Sequence, residues 1–150
     1  MTEAGEMILL SAHAATTLMM TGLIWFVQVV HYPLFESVGE TGFCAYESRH
    51  RQRTTLVVGP LMLIELVTAA WIAIDPPGIV PQSHAWLGLG LVLILWLSTA
   101  IVQVPLHRRL CDSFDATAWG RLVMTNWIRT IGWSARSVLA LVWLAGGTGS

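Results

Sequence analysis

Four apolar runs, at residues 8–30, 55–74, 86–104 and 122–145, dictate what this chain can become. Each is long enough to cross a hydrocarbon layer of roughly 30 Å, which takes about 20 helical residues. Backbone polar groups have no water to bond in such a layer, so a spanning segment must be a helix or part of a closed barrel. Barrel strands alternate apolar and polar residues, and these runs do not. The expected fold is therefore all-α: an integral membrane four-helix bundle running up-down-up-down. It forms one domain over residues 1–150, with spans at about 8–32, 55–74, 86–106 and 122–145. Composition agrees, at 55% hydrophobic and 11% charged, where a soluble domain carries about 25% charged residues.

The first run follows Glu3 and Glu6 instead of a basic segment and exceeds a signal-peptide core, so it is expected to be a retained helix. Every basic side chain is an arginine. Arg49, Arg51 and Arg53 precede the second run, and Arg108, Arg109 and Arg121 separate the third from the fourth. The connection DPPGIVPQSHA has none. By the positive-inside rule, connections 1 and 3 are expected to be cytoplasmic and both termini outside, in a bacterial cytoplasmic membrane. Cys44 and Cys111 would then meet a reducing compartment and remain thiols. A net charge of −1 and the lack of a long basic segment argue against a nucleic-acid partner. Membrane lipids and a lipophilic small molecule are the expected partners, and the small faces at Gly22, Gly88 and Gly90 are compatible with a homo-oligomer.

Polar residues recur at helical spacing inside these runs. His13, Thr17, Thr21, Gln28 and His31 share one face of the first; Trp96, Thr99, Gln103 and His107 share one face of the third. Asn126, Arg129, Trp133 and Arg136 line up on the fourth, while Tyr46, His50, Arg53 and Val57 lead toward Glu65 on the second. An ionised side chain at mid-membrane depth costs roughly 3 kcal/mol or more, so Glu65 and Arg136 are expected to face inward. Glu65 then pairs with Arg136 or Arg129 to fix helix register, or exchanges protons as a catalytic group. The ends WFVQVVHYPLF and STAIVQVPLHRRL suggest a repeated helix hairpin.

His31, His50 and His107 form the candidate metal-ligand set, since imidazole suits zinc, copper, iron and haem. The competing reading leaves them as interface histidines bonded to polar neighbours. His31 with His107 could also ligate a haem, whereas His13 has no inward histidine at its depth. Asn126, Arg129 and Thr130 offer an amide, a fixed cation and a hydroxyl, a fit for an oxyanion.

Taken in order, Pro33, Pro60, Gln103-Val104-Pro105-Leu106-His107 and Asn126 with Arg129-Thr130 resemble the anthrone-oxygenase-like family of small four-helix membrane proteins, along essentially the whole chain. The resemblance implies a membrane-embedded bundle that oxidises a lipophilic aromatic or quinol-type substrate with dioxygen. Two positions depart from that family: His107 stands where its members carry asparagine, and Trp127 where they carry histidine. The expected function is an oxidoreductase or oxygenase-like enzyme with a polar pocket toward the cytoplasmic side. Its catalytic candidates are Arg129, Asn126, His107 and Glu65, and its substrate-binding candidates are Gln28, Tyr46, Gln103, Arg136 and Trp133. A transition metal, haem or no cofactor at all fits the residues. The alternative is a non-catalytic membrane module that binds haem, a metal or a lipophilic ligand, or a subunit of a larger complex.

Overall fold

The computed structural model describes residues 1–147, and among them every regular element is helical. Helix α1 covers Glu3–Phe26, α2 Glu40–Ile74, α3 Gln82–Ser98, α4 Val104–Asp112 and α5 Ala116–Gly147. Helices α3 and α4 form one long rod joined through a widened turn, so four rods pack into a bundle. Contacts run between α1 and both α2 and α5, and between α3 and both α2 and α5.

Local chemistry explains the ends. Thr2 caps α1, its hydroxyl accepting the Gly5 N–H at 3.2 Å, with Glu3 and Glu6 favourably placed in the first turn. Asp115 does the same for α5, its Oδ1 accepting the N–H groups of Thr117 at 2.8 Å and Ala118 at 3.1 Å. Gly39 turns the chain into α2 at φ +79°, a left-handed conformation that costs glycine little. The tract Asp75-Pro76-Pro77-Gly78 ends α2, and extended Pro81 precedes α3.

Three helical stretches, Glu3–His31, Glu40–Ile74 and Gln82–Asp112, are long and apolar enough to cross a membrane, which is compatible with an integral membrane protein. The fourth expected span, α5, is not among them. Asn126, Arg129 and Arg136 lower its hydropathy, yet all three are buried, and Met124, Ile128, Ile131, Val138 and Val142 are exposed on its outer side.

Two expectations change. Residues 40–54 are helical, so Tyr46, Arg49, Arg51 and Arg53 stand on the first turns of α2 and not in a connection. The inward face of α2 is also rotated from the expected one. Phe43, Glu47, Met62, Glu65 and Ala69 are buried, whereas Arg53 and Val57 are exposed. Trp71 and Trp86 are exposed, whereas Trp143 is buried and stacks on His13.

The hairpin similarity has a structural counterpart. Residues Val27–His31 and Thr99–Gln103 are both π-helical turns, each ending two residues before a proline, Pro33 and Pro105. Proline lacks an N–H and its ring crowds the carbonyl four residues back. In both places the preceding residue bonds five residues back instead: Tyr32 N–H to the Val27 carbonyl at 2.9 Å, and Val104 N–H to that of Thr99. The wide turn inserts one residue into the helical frame.

Candidate functional site

The widened turn in α1 has a direct consequence. Beyond it the inward position is Tyr32, buried, whereas His31 is only half-buried. In the companion rod the frame carries Gln103 and His107 inward. Together with α2 and α5 these elements enclose a cavity of about 450 Å³, within the size range of small-molecule pockets. Its walls are largely apolar, with Met20, Leu23, Ile24, Val27, Val58 and Met62. Polar side chains enter at Tyr32, His50, Trp96, Gln103, His107 and Arg129.

A hydrogen-bonded chain lies at one side. The Arg129 guanidinium lies beside the Tyr32 hydroxyl. An arginine cannot accept, so the tyrosine proton is free to point elsewhere. The Tyr32 oxygen lies 2.8 Å from Nε2 of His107, and Nδ1 of His107 lies 2.5 Å from Oε1 of Glu47. One proton arrangement satisfies all three: Tyr32 donates to Nε2, and the Nδ1 proton goes to the carboxylate. Glu47 is fully enclosed, and its second oxygen, Oε2, has no hydrogen-bond partner.

Arg129 also donates to Asn126 Oδ1 at 3.1 Å and lies over the Trp133 ring at 5.2 Å. Asn126 in turn donates to Gln28 Oε1 at 2.9 Å, and Gln28 to the Val123 carbonyl at 3.2 Å. Gln28 and Asn126 are thus buried struts that hold Arg129 and are not part of the cavity wall. Among the described residues nothing anionic pairs with Arg129, and its Nε has no partner. Trp96 and Gln103 also line the cavity, and among the described residues Trp96 Nε1 and Gln103 Oε1 are likewise unbonded. Gln103 is held through its amide nitrogen by Thr125 at 3.2 Å.

The histidines gather as well. His31 Nε2 lies 2.8 Å from His50 Nδ1, and the His50 and His107 rings are 5.5 Å apart. The tightest metal-competent set is Glu47, His50 and His107, their ligand atoms within 4.8 Å of one another. His31 stands behind His50, and Tyr46 stacks parallel to the His50 ring at 6.5 Å.

Glu65, Arg136 and Trp133 belong to a different centre. Arg136 Nε is 2.7 Å from Glu65 Oε1, which also accepts from Thr17 at 3.0 Å; Glu65 Oε2 accepts from Trp133 at 2.8 Å. Arg136 further bonds the Gly88 carbonyl and His13 Nε2, and His13 Nδ1 bonds Thr68 at 2.8 Å. Every partner there is satisfied from within the chain, and none of Glu65, Arg136 and Trp133 lines the cavity. Glu65 and Arg136 thus form an ion pair between α2 and α5, and each of the three Arg136 nitrogens has a partner within the chain.

Two residues of the site escaped the sequence reading. Tyr32 was hidden by the frame shift of the wide turn, and Glu47 by the assignment of residues 40–54 to a connection. An i, i+3 carboxylate–histidine pair, Glu47 and His50, was the available signal. No protein-family model, curated protein or solved structure matches the chain.

Proposed function

We propose that the chain is a membrane-embedded oxidoreductase of the oxygenase kind, acting on a lipophilic phenolic, quinol-type or enolisable aromatic substrate held in the cavity. In this reading the four rods run up-down-up-down through the bilayer. The cavity lies toward the cytoplasmic end, where Arg49, Arg51, Arg53, Arg108, Arg109 and Arg121 gather. The large exposed side chains of every rod, such as Ile8, Leu56, Ile101 and Met124, then face lipid.

One observation carries the proposal: Arg129, 5% exposed, stands in the wall of an apolar cavity with no carboxylate beside it. A buried cation without an anion is costly. It is suited to a site where negative charge develops on a substrate oxygen during reaction. The neighbouring Tyr32–His107–Glu47 chain supplies the matching proton acceptor, with Glu47 orienting His107. Gln103 Oε1 and Trp96 Nε1 offer one acceptor and one donor to fix a ring-bound oxygen.

The reaction takes a proton from the substrate toward Tyr32 and His107, and Arg129 balances the resulting enolate or phenolate. Dioxygen is the oxidant. A ring CH2 becomes C=O, and its two hydrogens leave with the second oxygen atom as water. Turnover of an anthrone by the detergent-purified chain, followed by oxygen uptake and product absorbance, tests it. Turnover lost in Arg129→Gln and Tyr32→Phe supports the reading; stoichiometric binding without oxygen uptake would leave a ligand-binding module.

A further inference from the structure

We propose that Glu47, His50 and His107 bind a divalent first-row transition-metal ion at the rim of the cavity. The inference goes beyond the proposed function: it rests on the same pocket but not on the oxygenation step, and a bound ion would take over the place His107 holds there as proton acceptor.

Two independent observations carry it. The first is the donor set: one carboxylate and two imidazoles whose ligand atoms lie within 4.8 Å of one another. Two histidines and one carboxylate are a set that divalent iron, manganese, cobalt and zinc accept, with positions left over for other ligands. The second is Glu47 Oε2. Glu47 is 0% exposed, and this oxygen has no partner at all. An unbonded carboxylate oxygen in so dry a place costs several kcal/mol unless something positive meets it. The nearby arginines do not, since Arg129 is engaged with Asn126, Arg136 with Glu65 and Arg51 with Cys111.

The surroundings prepare the ligands. His31 and Thr54 lie 2.8 and 3.1 Å from His50 Nδ1, which fixes the ring and leaves its other nitrogen to ligate, as outer partners of metal-bound histidines do. On His107 the ion takes the place of the proton shared with Glu47 at 2.5 Å, so binding releases a proton. Nε2 then carries the remaining ring proton and donates it to Tyr32. The Tyr32–His107 bond survives with its direction reversed, and the tyrosine proton turns toward the cavity. His50 and His107 both line that cavity, so open coordination positions face a bound molecule.

The test uses the full chain in detergent, stripped with chelator and titrated with cobalt(II). The expected result is one equivalent bound, with d–d absorption bands in the visible and about one proton released. Glu47→Gln and His50→Ala should each lose at least 10²-fold in affinity, and His31→Ala about 10-fold, the range known for outer partners. Variants are compared only at unchanged helical circular dichroism. Glu47→Asp, which keeps the charge, covers the case in which the amide does not fold and should retain cobalt. Arg129→Gln should keep the cobalt site while losing turnover, so a failed metal site and a failed reaction read separately. No stoichiometric cobalt in the wild type, or equal binding by His50→Ala, overturns the proposal.

Discussion

Arg129 and Arg136 stand about two turns apart on the same face of α5, both buried, yet only Arg136 has a carboxylate, Glu65 at 2.7 Å. That contrast separates a centre that holds the bundle from one that is left incomplete.

Arg136→Met should destabilise the bundle strongly, because it leaves the buried Glu65 carboxyl without its cation, held only by Thr17 and Trp133. Breaking one side of a buried pair costs about 3–5 kcal/mol. Adding Glu65→Gln should recover most of the loss. Thermal unfolding in detergent, followed by circular dichroism, measures both.

Tyr32→Phe removes the link between His107 and Arg129 with little change in shape. Stability should fall by only about 1 kcal/mol, the net worth of an ordinary hydrogen bond. Turnover should fall on the order of 10²-fold or more, as for loss of a general acid–base group. Oxygen uptake and a melting curve on the same sample separate the two.

Gly88→Ala should harm packing without touching the cavity. A Cβ at Gly88 would sit 2.8 Å from Cη2 of Trp143, a rigid ring that is itself buried. Overpacking of this kind costs about 1–3 kcal/mol. Trp143→Leu in the same chain should relieve part of it, read as a rise in the unfolding midpoint over Gly88→Ala alone.

Pro105→Ala restores an N–H that can bond the carbonyl four residues back, so the wide turn at Thr99–Gln103 should tighten toward regular helix. The fold should be no less stable. Gln103 and His107 would rotate relative to each other, and misplacement by about 1 Å can cost 10²-fold in rate. Comparison of turnover with unfolding midpoint checks this.

At the start of α5, the N–H of Ala118, together with that of Thr117 and with Arg109 at 2.8 Å, holds the Asp115 carboxyl below its ordinary range. A depressed folded pKa means the stabilisation is present above the unfolded value of about 3.9 and is lost as pH falls through the folded one. Asp115→Asn should abolish that acid dependence, measured as the midpoint difference between neutral and acid pH.

Much of this was legible from residue order. The apolar runs announce long helices, and the spacing of Asn126, Arg129, Trp133 and Arg136 places all four inward, as found. The depth of Glu65 and Arg136 points to their pairing. What periodicity could not convey was the two wide turns. A regular helix puts His31 on the face of Gln28, but the inserted residue hands that place to Tyr32. The polar first turns of α2 have no hydrophobic run to mark them as helix, so Glu47, at the centre of the proton chain, looked like part of a connection. Packing against Phe35 and His107 gives that segment its order. Gln28 and Asn126 share the right region but serve Arg129 from behind, a distinction that only partners and burial reveal.

The central claim is that unpaired Arg129 awaits charge on a substrate oxygen. The most direct measurement is the affinity of the wild type and Arg129→Gln for a ring-matched pair, an ionised phenol and its methyl ether, by fluorescence titration in detergent. The account predicts that the wild type prefers the phenolate by at least 10-fold and that the variant binds both alike. Equal preference in the two proteins would contradict it.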